Sequence, residues 1–259
     1  MLVKKIHLTL LGSLCIAVSS GFAQIVTVPY SNDFTNNVSD FTSSGDWALN
    51  TATGTYTVDV PTIATRVASN ITTDGFALAD FIVTTSFTVN STRAPNAVDS
   101  DFGLVLFGNS NSLGQDYVLF DMSDFNNRLR IFNVRNGGTY NNGNQINVIK
   151  ENIAVPFALG QEYTLTVTGV FTGDNLGLTL SVTNGTLSDS ISGTITDFAI
   201  KSAFGKDLVG LGVRAGNVSL GNPVNVSYSS LAVIPEPSTY AMLIGGILAM
   251  VCLRRRLCK

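Results

Sequence analysis

Between residues 24 and 234 no stretch of hydrophobic positions sustains the 3.6-residue spacing of an amphipathic helix, and β-branched and aromatic runs recur instead. "GTYTVDV" (54–60) alternates cleanly. "FALADFIVTTSFTV" (76–89) reads as one long strand after an Asp74-Gly75 turn. Further β-branched and aromatic runs span 102–109, 116–122, 128–135, 144–153, 161–171, 175–185, 190–200, 208–216 and 224–233. Turn formers separate them, and Asn136-Gly137, Gly173-Asp174 and Asn184-Gly185 supply positive-φ positions. Many short strands at close, regular spacing predict an all-β antiparallel sandwich or barrel.

The two ends follow different rules. "MLVKKIHLTLLGSLCIAVSSGFAQ" has Lys4 and Lys5 before an apolar core of signal-peptide length, and Gly21 and Ala23 place small residues before a cut between Ala23 and Gln24. Residues 1–23 are therefore expected to form a signal helix that directs export through the Sec translocon. At the other end, "YAMLIGGILAMVCL" (240–253) is apolar over fourteen residues and is followed by Arg254, Arg255 and Arg256. It predicts a single transmembrane helix of marginal length, with the arginines as a cytoplasmic stop and the strands outside. Pro235 and Pro237 flank Glu236 and hold an extended peptide just before it. The expected domains are thus 1–23, a β-sandwich over 24–233, and a tail over 234–259.

Composition narrows the chemistry. Residues 24–234 carry nine Lys and Arg against seventeen Asp and Glu, a net −8, so a phosphate backbone would be repelled and nucleic acid is not an expected partner. The one His (His7) and all three Cys (Cys15, Cys252, Cys258) lie in the terminal segments. The strand region has no imidazole or thiol, which excludes Cys/His metal sites, Ser-His-Asp triads, Cys nucleophiles and disulfides there.

Two resemblances build on these residues. Ile234-Pro235-Glu236-Pro237-Ser238, the apolar run and the Arg cluster, in that order, resemble the PEP-CTERM sorting signal. That resemblance implies recognition and processing by an exosortase, a membrane protease. It also implies transient inner-membrane anchoring, then placement on the cell surface or in the extracellular matrix of a Gram-negative-type, biofilm-forming bacterium. The strand region resembles a concanavalin A-like (laminin G-type) jelly roll. The features that carry this are Asn32-Asp33-Phe34, Gly45-Asp46-Trp47, "ADFIVTTSF", "FGLVLFG", "YVLFDM…RLRIFNV", "GQEYTLTVT" and "GLGVRAG…VSYSSLAV". In such a fold the first and last strands are expected to pair.

The expected task is non-catalytic binding of polysaccharide or matrix partners. A glycoside hydrolase or lyase of the same fold is the alternative, but the Glu-x-Asp-x-x-Glu pattern of such enzymes does not occur, and Glu151 and Glu162 fall on different strands. Asp121 and Asp124 are the nearest candidate acid–base pair, in a stretch that also reads as plain turn chemistry. Sugar binding needs an aromatic face and planar polar groups. Tyr117 and Asp121 share one face of a strand, Arg128 and Arg130 one face of the next, and a hairpin would bring them together. Trp47 and Tyr140 are further stacking candidates. Asp99 and Asp101 alternate in "NAVDSDFG" and would offer oxygens to Ca²⁺, which is common in laminin G-type domains.

Overall fold

A computed structural model describes residues 25–60, 66–92, 100–108, 117–135, 139–140, 146–198, 205, 207–215 and 223–235. The signal segment, the apolar run and the Arg cluster lie outside them, as do Glu236 and Pro237. No helix among the described residues is long and apolar enough to cross a membrane.

Seventeen strands are described: β1 (Ile25–Val26), β2 (Tyr30–Asn32), β3 (Thr42–Ser43), β4 (Asp46–Asn50), β5 (Thr55–Val60), β6 (Arg66–Thr73), β7 (Phe81–Ser91), β8 (Asp101–Leu106), β9 (Tyr117–Ser123), β10 (Arg128–Arg135), β11 (Thr139–Tyr140), β12 (Asn147–Lys150), β13 (Glu162–Thr172), β14 (Asn175–Thr183), β15 (Ser188–Ile195), β16 (Leu208–Arg214) and β17 (Val224–Pro235). They form two sheets. The first runs β1-β6-β16-β8-β9-β10-β11, with β12 on β10 and β3 on β6. The second runs β15-β14-β13-β7-β17-β5-β4, with β2 on β17. This is the expected all-β sandwich.

Alternation decides which side chains meet between the sheets. Val209, Leu211 and Val213 of β16, Phe102 and Leu104 of β8, and Val118, Phe120 and Met122 of β9 face Val83 and Phe87 of β7, Leu165 and Val167 of β13, and Val224, Val226 and Tyr228 of β17. One aromatic cluster links Trp47, Tyr56, Tyr228, Phe87, Tyr163, Phe157 and Phe102. A second joins Phe76, Phe81, Phe107 and Phe198. The Tyr228 hydroxyl donates across the sandwich to the carbonyls of Gly212 (2.9 Å) and Gly103 (3.3 Å), so the phenol is satisfied despite full burial, which pushes its ionisation up.

On the outer face of the second sheet the same alternation places hydroxyls side by side. Ser86 meets Thr164 at 2.9 Å, Thr57 meets Ser227 at 3.1 Å, and Thr179 meets Ser192 at 2.9 Å. At one edge Lys150 of β12 pairs with Asp189 of β15 and ties the two sheets together. That hydrogen bond holds the Asp189 carboxyl below its ordinary range.

Three expectations need correction. Residues 76–89 are not one strand: Phe76–Leu78 forms a 3-10 turn behind Gly75 (φ 102°), and pairing starts at Phe81. Strand β6 was not expected at all. It lies inside the first sheet, yet "RVASNITT" puts Ser69 and Asn70 at buried positions and breaks the apolar pattern. The pairing of chain ends is made by β2, antiparallel to β17, whereas β1 crosses to run parallel with β6. The Gly173 and Gly185 turns do take positive φ (60° and 86°), as their sequence pairs predict.

Gly103 lies where β8 crowds β9. A Cβ there would fall 2.1 Å from the Phe120 carbonyl oxygen and 2.9 Å from the Asp121 Cα. The atoms it would meet are β9 backbone, which leaves nothing soft to yield, so Gly103→Ala is expected to cost about 2–3 kcal/mol, measured as a lower urea midpoint at unchanged slope. Gly173→Ala, with open space at its Cβ but positive φ, should cost less.

Candidate functional site

The β9–β10 hairpin forms in the expected register, with Asp121 opposite Arg130 and Ser123 opposite Arg128. Tyr117, Asp121, Arg128 and Arg130 do share the outer face of the first sheet. They do not form an open sugar-binding surface. Tyr117 is 2% exposed and packs in a small apolar cluster with Val105, Leu119 and Phe132, while Asp121 is fully buried. Arg130 donates through Nε (2.9 Å) and Nη2 (3.1 Å) to the two Asp121 oxygens, a fork-on-carboxylate geometry. The same guanidinium also contacts Asp101 Oδ1, and Arg214 Nε lies 2.6 Å from Asp101 Oδ2. Arg214, Asp101, Asp121 and Arg130 stand on β16, β8, β9 and β10, four consecutive strands. Each anion is thus balanced by a neighbouring cation. A narrow opening beside Tyr117, Leu119 and Arg214 has about 10 Å³ of room, enough for one water but not a sugar.

The remaining candidates also have structural duties. Arg128 lies 3.9 Å from Glu151 and over the Phe125 ring. Trp47 is half-buried: it packs against Tyr56 and Tyr228 and donates to the Ser44 carbonyl, so part of its ring is spent on the core. The Tyr140 side chain lies outside the described residues. Asp124 accepts from Thr92 Oγ1 (2.6 Å) and the Ser100 amide (2.9 Å), which makes it a loop clamp and not an acid–base partner of Asp121. The calcium expectation fails at Asp101, because guanidinium groups hold both its oxygens where a cation site needs free ones. Asp99 lies outside the described residues. Among the described residues, no group of three or more acids, His or Cys is arranged to hold a metal.

The larger opening lies elsewhere, at the β2 edge of the second sheet. It encloses about 400 Å³ and is lined by Tyr30, Asn32, Asp33, Asn36, Asn37 and Asp40 over a floor of Ser230, Leu231 and Ala232 from β17. That volume falls in the range of small-ligand sites. Its wall, "NDFTNNVSD", folds through side chain-to-backbone bonds. Asn32 Oδ1 takes the Phe34 amide (2.7 Å), Asp33 Oδ1 takes the Thr35 amide (3.1 Å), and Asn37 Oδ1 takes the Ser39 amide (3.4 Å). Phe34 anchors the wall: its backbone turns at φ 56° and its ring is buried against Phe41 and Tyr56. Asn36 and Asn37 are left exposed around the opening.

Inside it, Asn32 Nδ2 donates to the Tyr30 hydroxyl (3.2 Å), and that hydroxyl donates to Asp40 Oδ2 (3.3 Å). Burial, then the nearby Asp40 charge, raise the Tyr30 phenol to about 12. The hydrogen bonds from Thr35 hold the Asp33 carboxyl below its ordinary value. The cleft therefore presents a neutral phenol, amides and carboxylates, the planar groups that pair with sugar hydroxyls. Sequence reading used Asn32-Asp33 only as a mark of the fold. Three turn-forming Asx side chains in one short loop were the available signal, but turn chemistry alone does not reveal a cavity.

No family model matches this chain, and no curated protein does. Among solved structures it is similar to lectin I from Ulex europaeus, in complex with the methyl glycoside of α-L-fucose (13% identity, TM-score 0.52, covering 79% of this chain and 95% of the lectin). It is also similar to arcelin-5, a lectin-like defense protein from Phaseolus vulgaris (14% identity, TM-score 0.51, 79% and 96%). Xylan β-1,4-xylosidase from Bacillus halodurans C-125 matches at 13% identity and TM-score 0.50, over 80% of this chain but 39% of the enzyme. These likenesses are of fold: the two-sheet sandwich has the jelly-roll architecture that these structures share.

Two results follow. Asp121→Asn removes the charge facing Arg130 inside the sheet and should cost about 3–5 kcal/mol, whereas replacing Asp121 and Arg130 together by Leu and Met should cost clearly less in the same denaturation experiment. Tyr30 should titrate as phenolate near pH 12. Because its folded value lies above the unfolded value of about 10, its contribution to stability is intact below pH ~10 and is lost as pH rises towards ~12. Tyr30→Phe should remove that part of the alkaline loss.

Proposed function

We propose that this chain is a non-catalytic, exported surface or matrix protein that binds polysaccharide in the cleft formed by Tyr30, Asn32, Asp33, Asn36, Asn37 and Asp40. The observation that carries the reading is this cleft, sugar-sized and lined by planar polar groups, on a lectin-type jelly roll. The signal segment, Pro235-Glu236-Pro237, the apolar run and Arg254–Arg256 support export and handling by an exosortase, with the tail as a membrane hold until processing.

The enzymatic alternative draws on the likeness to part of a xylosidase and on two carboxylates in the cleft, Asp33 and Asp40. Binding is favoured because the cleft is lined mainly by amides and a phenol, and Asp33 is spent on the Thr35 amide and hydroxyl.

A glycan array probed with the exported chain tests the reading. Retention on at least one polysaccharide is expected, with roughly tenfold or greater weakening in Asn36→Ala, whose side chain bonds only to the exposed Thr35 hydroxyl, and no change in melting. Absence of retention on every glycan would overturn it. Glycan cleavage that Asp33→Asn or Asp40→Asn abolishes would establish the enzyme instead. For sorting, replacing Pro235, Glu236 and Pro237 by alanine should leave an unprocessed, membrane-held chain, and unchanged mass and location would refute that part.

A further inference from the structure

The last strand reaches Pro235, and four exposed apolar side chains stand around that point. Pro235 pairs with Phe81 and Ile234 with Ile82, so β17 stops beside the 3-10 turn that precedes β7. Leu78 in that turn is 71% exposed, Ile25 of β1 is 66% exposed, and Ile234 and Val170 are 46% and 45% exposed. Register and hydrogen bonds place them at one end. Ile25 lies opposite Thr72 and the Asp74 amide bonds to the Val26 carbonyl, which brings β1 beside the turn. Val170 follows Gly169, which pairs with Phe81, and the Phe171 amide bonds to Asp80. The acids at this end are Asp74, Asp80 and the exposed Asp174, Asp197 and Asp207; Asp74 takes the Val28 amide and Asp80 the Phe171 amide. Behind the rim lies the cluster of Phe76, Phe81, Phe107 and Phe198, which makes it a firm platform.

Four residues, 236–239, separate Pro235 from the apolar run that begins at Tyr240. Fully extended, the chain from Pro235 to Tyr240 reaches no more than about 17 Å. If the apolar run enters a bilayer, this end of the sandwich must sit at the headgroup layer, where exposed Leu and Ile side chains gain by leaving water. We infer that Ile25, Leu78, Val170 and Ile234 form a lipid-docking rim that seats the anchored sandwich on the bilayer surface. The inference rests on the membrane-hold reading of the tail proposed above.

The test uses the full chain in phosphatidylcholine vesicles with brominated acyl chains, which quench tryptophan at the bilayer. Three reporters are placed singly in a Trp47→Phe background: Leu78→Trp on the rim, Leu159→Trp near the opposite end of β7, and Leu248→Trp in the tail. Gly160, next to Leu159, bonds to Val89, roughly 25 Å along the strand from Phe81. Strong quenching is expected at Leu78→Trp and Leu248→Trp, several-fold above that at Leu159→Trp. Quenching at Leu248→Trp with none at Leu78→Trp would overturn the docking rim and leave the tail reading intact. Absence of quenching at Leu248→Trp would overturn the tail reading, and the rim with it. Amide exchange of the unsubstituted chain supplies a second readout should Trp47→Phe perturb folding. Residues 74–80 should exchange more slowly in vesicles than in detergent, relative to residues 158–160, and equal rates would refute the rim.

Discussion

Four charges on four consecutive strands fix the centre of the first sheet. In order of contact, Arg214, Asp101, Arg130 and Asp121 form one connected chain of alternating sign, with both carboxylates buried. A charge taken out of water is tolerated only with a partner in hydrogen-bonding reach. Sliding any of these strands by one residue would send its charge to the core face and strand the others. The network therefore specifies register. It also consumes the polar groups that would otherwise serve a ligand on this face. Tyr228 adds a second constraint from the facing sheet by reaching the Gly103 and Gly212 carbonyls, in the row beside the ion pairs.

With that face committed to holding the sheet, the proposed ligand site lies at the edge of the other sheet. The β2 wall suits it. The wall is built by local side chain-to-backbone bonds and by one buried ring, Phe34, so its outward groups carry little of the fold. β17 links this cleft to the end of the sandwich, since it supplies the cleft floor at Ser230 and Ala232 and reaches the tail at Pro235. A chain held at that end would keep the cleft within one strand's length of the membrane.

Much of the fold was legible from alternation alone, because "TYTVDV" and "RLRIFNVR" have one face in the core and the other outside. Strand β6 was not, since its buried Ser69 and Asn70 break the apolar pattern, and Ser69 is held by tertiary bonds to Tyr56 and Ser43 that local sequence does not reveal. The juxtaposition of Tyr117, Asp121, Arg128 and Arg130 was legible, because period two and hairpin pairing are local rules. Their burial was not. It depends on Asp101 and Arg214, which come from strands distant in sequence and adjacent only in the sheet. The cleft was hidden for the same reason, since its wall and its floor are some two hundred residues apart in the chain.

The account turns on where a saccharide sits. A crystal structure of the chain soaked with a polysaccharide fragment that it retains tests this most directly. Sugar density is expected between Tyr30 and Asn37, above Ser230, with the Arg214–Asp101–Arg130–Asp121 chain unchanged. Density over Tyr117 and Arg130, with those ion pairs broken to admit the sugar, would contradict it.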